Sequence, residues 1–186
     1  MTDMKMGALR IGQVDHTVVD RIQENLNMTF PRTTCVLIKE TFPMPEEAFD
    51  SRRKQYRSDI ILAKMEELAE KEKTLERILG IANVDIFVPS LNFVFGEAKC
   101  PGKAALISLH RLRPEFHGER PNTELFMERS SKEAVHEIGH TFGLAHCGNP
   151  FCVMYFSNSI FDTDRKQGVF CSKCSMKIEK IMDTLE

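Results

Sequence analysis

The sequence predicts an α/β (mixed α+β) protein, a single compact domain around a mostly parallel sheet. Three observations lead there. The chain opens on a strand–helix–strand pattern, the signature of parallel pairing with a helix on one face of the sheet. Its 186 residues, 42% hydrophobic and 28% charged, match one globular unit long enough to bury a sizeable core. No internal repeat, low-complexity tract or interdomain linker interrupts it.

Residues 8–14 alternate loosely and read as the first strand. Asp15 can cap the helix that follows, whose apolar stripe is Val18, Val19, Ile22 and Leu26. Residues 33–38, apolar and partly β-branched, read as the second strand, with Cys35 in it as a buried free thiol. Phe42-Pro43-Met44-Pro45 breaks regular structure. Residues 51–57 are basic and read as a solvated surface, with a partner-binding surface as the sharper alternative. Residues 58–79 look helical, with a break near Lys71–Lys73; Ile61, Leu62, Met65 and Leu68 form one apolar face, Leu75, Ile78 and Leu79 continue it, and Gly80 stops it. Short strands are expected at 84–88, 93–95 and 104–109, and Cys100 falls in a turn before Pro101 and Gly102. Residues 111–122, with two prolines and a glycine, read as a loop beside a cleft.

A long helix then starts at Thr123 or, from the capping-box match Ser130-Ser131-Lys132-Glu133, near Ser130. Val135, Ile138 and Phe142 give its core face. Gly139 costs about 1 kcal/mol relative to alanine inside a helix, so something is expected to pack closely there. Residues 175–185 read as a C-terminal helix.

The long helix carries His136-Glu137-Ile138-Gly139-His140-Thr141-Phe142-Gly143-Leu144-Ala145-His146. Positions four apart share a helix face, so His136 and His140 can reach one ion. Gly143 permits a sharp turn after the helix, which can swing His146 back as a third ligand. Three protein ligands leave one tetrahedral position open for water, the mark of a catalytic zinc. Zinc lowers the pKa of that water from near 16 to about 7, and Glu137, not needed as a ligand, can accept its proton. His16, His110 and His117 are scattered and read as ordinary solvated or hydrogen-bonded histidines.

Directly downstream come Cys147, Cys152, Cys171 and Cys174, two closely spaced pairs separated by eighteen residues. Such pairs read as a four-thiolate zinc site, closed to water and therefore structural. Unrelated reduced cysteines or two disulfides are the alternatives, and disulfides would need an oxidising compartment. A metal here would tie the loop that carries His146 to the C-terminal segment and contribute folding free energy. Met154 follows Cys152 by two residues; a lone Met is usually core filler.

These residues, in this order, resemble the archaemetzincin family of zinc metallopeptidases, in the metzincin clan. The motif spans residues 134–174, and Asp85-Ile86-Phe87-Val88-Pro89-Ser90-Leu91-Asn92-Phe93-Val94-Phe95-Gly96-Glu97-Ala98 is similar to the family's upstream region. The gap between Met154 and Cys171 is one residue shorter than the family pattern, a change a loop absorbs. The resemblance implies a metzincin-like domain over 1–186, with a sheet-containing upper part and active-site helix in 1–143. The lower part, 144–186, would hold the third histidine, a Met-turn at Met154 beneath the catalytic metal, and the four-cysteine zinc. It further implies a twisted sheet whose edge strand, sought within 93–109, binds an extended peptide. In some metzincins a tyrosine two residues past the Met-turn methionine assists catalysis; that position is Phe156 here, and Tyr155 is one residue early, so the role is not transferred.

The expected activity is therefore hydrolysis of peptide bonds in a peptide or protein substrate, endopeptidase or aminopeptidase, with two Zn2+ per chain. The alternative is a zinc-stabilised module that binds a peptide or protein without cutting it, but such a module has no need of Glu137 or of an open coordination position. A net charge of −2 gives no pull toward nucleic acid or anionic membrane. No stretch approaches the roughly 20 apolar residues of a membrane span, and the first residues carry no signal-peptide core or room for an inhibitory pro-segment. A cytoplasmic, monomeric protein is the expectation.

Overall fold

The computed structural model describes residues 4–184. Strands β1 (Met4–Ile11), β2 (Thr33–Leu37), β5 (Arg77–Ala82), β7 (Gly96–Ala98) and β8 (Ala104–Ser108) form one sheet in the order β2-β1-β5-β8-β7. All neighbours are parallel except β7, which runs antiparallel to β8 and forms the edge. A smaller sheet, β3 (Phe49–Asp50), β4 (Gln55–Arg57) and β6 (Ile86–Phe87), sits beside it. Helices are α1 (His16–Thr29), α2 (Ser58–Lys71), α3 (Thr123–Thr141), α4 (Ile160–Arg165) and α5 (Ser172–Thr184). Leu185, the expected end of α5, lies outside the described residues.

Strand side chains alternate between faces, so a sheet covered on both sides needs two cores. Met6 and Ala8 of β1, Leu79 and Ile81 of β5, and Ala105 and Ile107 of β8 face α1 and α3. Leu9 and Ile11, Ile78 and Ala82, and Ala104 and Leu106 face α2. The strand–helix–strand reading of the start holds: Asp15 accepts a hydrogen bond from the Thr17 N–H, and Val18, Val19, Ile22 and Leu26 are buried. Cys35 is buried, which pushes its thiol up to about 12. No helix among the described residues is long and apolar enough to cross a membrane.

Several elements differ from the sequence reading. Helix α2 ends at Lys71, and Ile78 and Leu79 belong to the strand β5 instead of a continued helix. A short buried apolar run carries no helix-or-strand period of its own. Gly80 does not stop a helix; it lies mid-strand, where a Cβ would stand 2.4 Å from Met65 Sδ and 2.6 Å from Ile11 Cδ1, so its absence lets α2 pack directly on the sheet. Residues 93–95 form no strand, and the edge strand begins at Gly96. Ser130 does not cap a helix. It is buried within α3, its hydroxyl donating to the Phe126 carbonyl, while the Asn122 side chain caps the true start at Leu125 N–H. The S-x-x-D box that does cap a helix is Ser159–Asp162, opening α4.

Leu106, fully buried in the central sheet, is the direct test of this packing. Leu106→Ala is expected to cost about 2–5 kcal/mol in chemical denaturation with the folded-state circular dichroism retained.

Candidate metal centres and cleft

Helix α3 places His136, Glu137 and His140 on the side that faces edge strand β7. The helix ends where Gly143, at φ +87°, donates its N–H to the His140 carbonyl at 2.8 Å. A left-handed residue there turns the chain back under the helix, and His146 returns toward His136 and His140. The ring centroids of the three histidines lie 4.6, 4.8 and 5.3 Å apart.

The outer nitrogens decide the tautomers. His136 Nδ1 donates to the Val153 carbonyl at 2.7 Å, and His140 Nδ1 donates to the Leu144 carbonyl at 2.6 Å. Both neutral rings therefore carry their proton on Nδ1, and neither Nε2 has one to give. Their Nε2 atoms still approach to 3.1 Å. Two unprotonated nitrogens that close are not hydrogen-bonded to each other. They are spaced as ligands: nitrogens about 2.0–2.1 Å from one tetrahedral zinc stand about 3.3 Å apart. Loss of solvent lowers the basicity of all three imidazoles, most strongly for the buried His136; His140 is half-buried and His146 the most open of the three. The donor set fits a zinc ion with one position open.

The four cysteines pass the same test. Cys147, Cys152, Cys171 and Cys174 bring their sulfurs within 4.8 Å of one another. Cys147 Sγ and Cys171 Sγ are 3.8 Å apart, the edge of a tetrahedron with zinc–sulfur bonds of about 2.3 Å. All six cysteines are unbonded, and a cluster of four convergent sulfurs is what a metal, rather than two disulfides, requires. The backbone N–H of Cys174 draws the Cys171 thiol down to about 7, whereas burial pushes Cys152 and Cys174 up. A divalent cation would hold all four as thiolates.

Between the two clusters the chain makes a tight turn. Tyr155 N–H donates to the Cys152 carbonyl at 2.9 Å, and Cys147 N–H donates to the Met154 carbonyl at 2.8 Å. Met154 is fully buried beneath α3 at Gly139, where a Cβ would lie 2.5 Å from Met154 Sδ. The close contact expected at Gly139 is this methionine. Phe156 packs its ring 4.8 Å from that of His146; it has no hydroxyl to offer the site.

Above the histidines opens a cleft of about 490 Å³, with residues 91–98 along one wall and His136, Glu137, His140 and His146 on the floor. Glu137 is buried against β7, and burial, reinforced by the nearby Glu133, raises its carboxyl well above the usual range. At Gly96 a Cβ would lie 2.6 Å from Glu137 Cγ and 2.7 Å from the Leu106 carbonyl. The expected edge within 93–109 narrows to Gly96–Ala98, since β8 is internal. Residues 111–122 do not line the cleft; Arg111 instead makes a paired contact with Asp85 at 2.7 and 2.7 Å. Arg53, in the stretch read as solvated surface, donates to the carbonyls of Leu91 at 3.1 Å and Asn92 at 2.7 Å and so holds the cleft rim. His16, His110 and His117 join neither cluster, as expected; His16 meets Arg10 and His117 meets the Arg111 carbonyl.

Sequence reasoning missed Gly96, Glu133 and Lys166. Glu133 had a signal, standing four residues before Glu137 on the same helix face. Gly96 and Lys166 had none, because their partners are distant in the chain.

The comparisons agree with this geometry. A family model described as peptidase family M54 matches residues 1–180. An archaemetzincin of Pyrococcus furiosus is 42% identical over 173 residues, covering 91% of this chain and 90% of that protein. The crystal structure of an archaemetzincin from Methanopyrus kandleri superposes with a TM-score of 0.85 at 34% identity, over 98% of this chain and 97% of that one. A zinc-dependent peptidase from Methanocorpusculum labreanum does so with a TM-score of 0.84 at 30% identity, over 93% and 99%.

Replacing Cys171 and Cys174 with serine is expected to leave one zinc per chain by elemental analysis where the native chain holds two, and to lower the thermal unfolding midpoint. Two retained zincs would reject the four-cysteine site.

Proposed function

The chain belongs to peptidase family M54, a family of zinc metallopeptidases, and we propose that its His136, His140 and His146 hold the catalytic zinc while Glu137 is the general base. Cys147, Cys152, Cys171 and Cys174 hold the structural zinc. The observation that carries this reading is the pair of unprotonated Nε2 atoms at 3.1 Å with Glu137 beside them on the cleft floor. Gly143 supplies the turn and Met154 the Met-turn. Residues 1–143 form the upper part and 144–186 the lower part of one domain.

The chain's own groups act as follows. The free edge of β7 offers its backbone N–H and C=O groups to an extended peptide, which gives affinity with little demand on sequence. That pairing lays a peptide bond over Glu137 and the histidines. Bound zinc supplies polarisation of the scissile carbonyl and a water acidic near neutral pH. The Glu137 carboxylate takes a proton from the attacking water and returns it to the amide nitrogen as the C–N bond breaks. Gly96 leaves the room that the Glu137 side chain occupies against β7.

Two variants test the roles separately. Glu137→Ala is expected to abolish cleavage of a proteome-derived peptide library, read by mass spectrometry, with two zincs retained; full activity would reject the base assignment. Gly96→Ala is expected to keep both zincs and lower kcat by about tenfold to a hundredfold, because the added methyl displaces the base.

A further inference from the structure

The buried charges around α3 include one ion pair that the peptidase reading does not use. Glu133 lies one turn before Glu137, is 2% exposed and lines the cleft. Lys166, 1% exposed, comes from the lower segment just after α4 and brings its Nζ to 2.8 Å from Glu133 Oε1. Thr163 Oγ1 adds a hydrogen bond to the same oxygen at 3.3 Å. The Lys166 contact is charge against charge without hydrogen-bond alignment, and its Nζ has no hydrogen-bond partner among the described residues.

Stability is a weak reason for such a pair. Withdrawing both charges from water costs several kcal/mol per ion, and an apolar pair of the same volume often does as well. Location is a better reason. Glu133 lines the same cleft as His136, Glu137, His140 and His146, and Lys166 stands against it, so the two charges bear on the histidine site with opposite signs. Three neutral imidazoles bring no negative charge to offset a divalent ion. An ammonium close by would repel that ion through a poorly screening interior.

We propose that Glu133 and Lys166 are a positioning pair for the three-histidine site: Lys166 holds the Glu133 carboxylate in the cleft wall, and Glu133 cancels the ammonium charge that would oppose a divalent cation. This rests on the reading that the three histidines hold zinc. The sign of the effect separates it from a structural role. Removing Glu133 leaves an uncompensated cation near the metal, and removing Lys166 leaves an uncompensated carboxylate.

The experiment is zinc release from the zinc-loaded full chain into graded dipicolinate, with zinc per chain as the readout and cysteine reactivity confirming that the four-thiolate site stays occupied. Glu133→Gln should give up the histidine-bound zinc at about tenfold lower chelator than native. Lys166→Met should need about tenfold more, and the double variant should fall near native. Should Glu133→Gln fail to fold, Lys166→Met against the double variant still decides. Lys166→Met binding zinc no more tightly than the double variant, or all variants shifting in one direction, overturns the proposal. A native chain holding only the cysteine-bound zinc overturns the histidine reading itself, and the pair's role with it.

Discussion

Every polar side chain that α3 buries must find a partner, and the partners it finds assemble the site. Buried polar groups without partners cost more than most single interactions contribute. Arg129, fully buried, makes a paired contact with Asp164 at 2.7 and 2.7 Å. Lys132 donates to the carbonyls of Thr163 and Asp164, Glu133 meets Lys166, and His136 meets the Val153 carbonyl. All of these partners come from residues 153–166. An apolar helix would have been satisfied by the sheet alone. A polar one recruits the lower segment, and recruiting it brings His146 under His140.

The segment so recruited has little regular structure besides the six-residue α4 and the final helix. Its buried residues, among them Leu144, Val153, Met154, Ile160 and Ile178, join the core beneath α3 and form none of their own, and a structural metal would add folding free energy to such a segment. The four-cysteine cluster encloses the turn that carries Val153 and Met154. Val153 accepts from His136, and its N–H donates to the Val169 carbonyl at 3.0 Å. Cys147 follows His146 directly. Two of the three histidines are thus oriented by backbone that the second cluster holds, and the third by the Leu144 carbonyl at the turn. The sites are coupled through main chain rather than through shared ligands.

What could be read from the sequence was what is local. His136, His140, Gly143 and His146 lie within eleven residues, and helix geometry alone brings the first two together. The stripe of α1 and its Asp15 cap have the same local character. The strand β5 was misread because five buried residues fit either period, and the sheet that decides the matter is made by β1 and β8, distant in sequence. Ser130 was misread because a hydroxyl that can cap a helix can equally bond the carbonyl four residues back within one. Lys166 and Gly96 were invisible for a stronger reason: each is explained by contacts across the fold, Lys166 with Glu133 and Gly96 with Glu137 and the Leu106 carbonyl.

The two walls of the cleft are held by different chemistry. The upper wall is the edge strand β7 and the loop before it. Arg53 grips that loop by two carbonyls, Gln55 bonds the Asn92 carbonyl and Asp85, and Arg111 pairs with Asp85 while lying over Phe93. None of these contacts involves the histidines or the cysteines. The lower wall, by contrast, is the recruited segment with its buried charges and sulfur cluster. That network fixes the loop leading into β7, and the antiparallel ladder to β8 fixes β7 itself. On the proposed function, binding an extended chain and cutting it are therefore separable: the first would depend on β7 and the loop before it, the second on a floor built from α3, the lower segment and the ions they would hold.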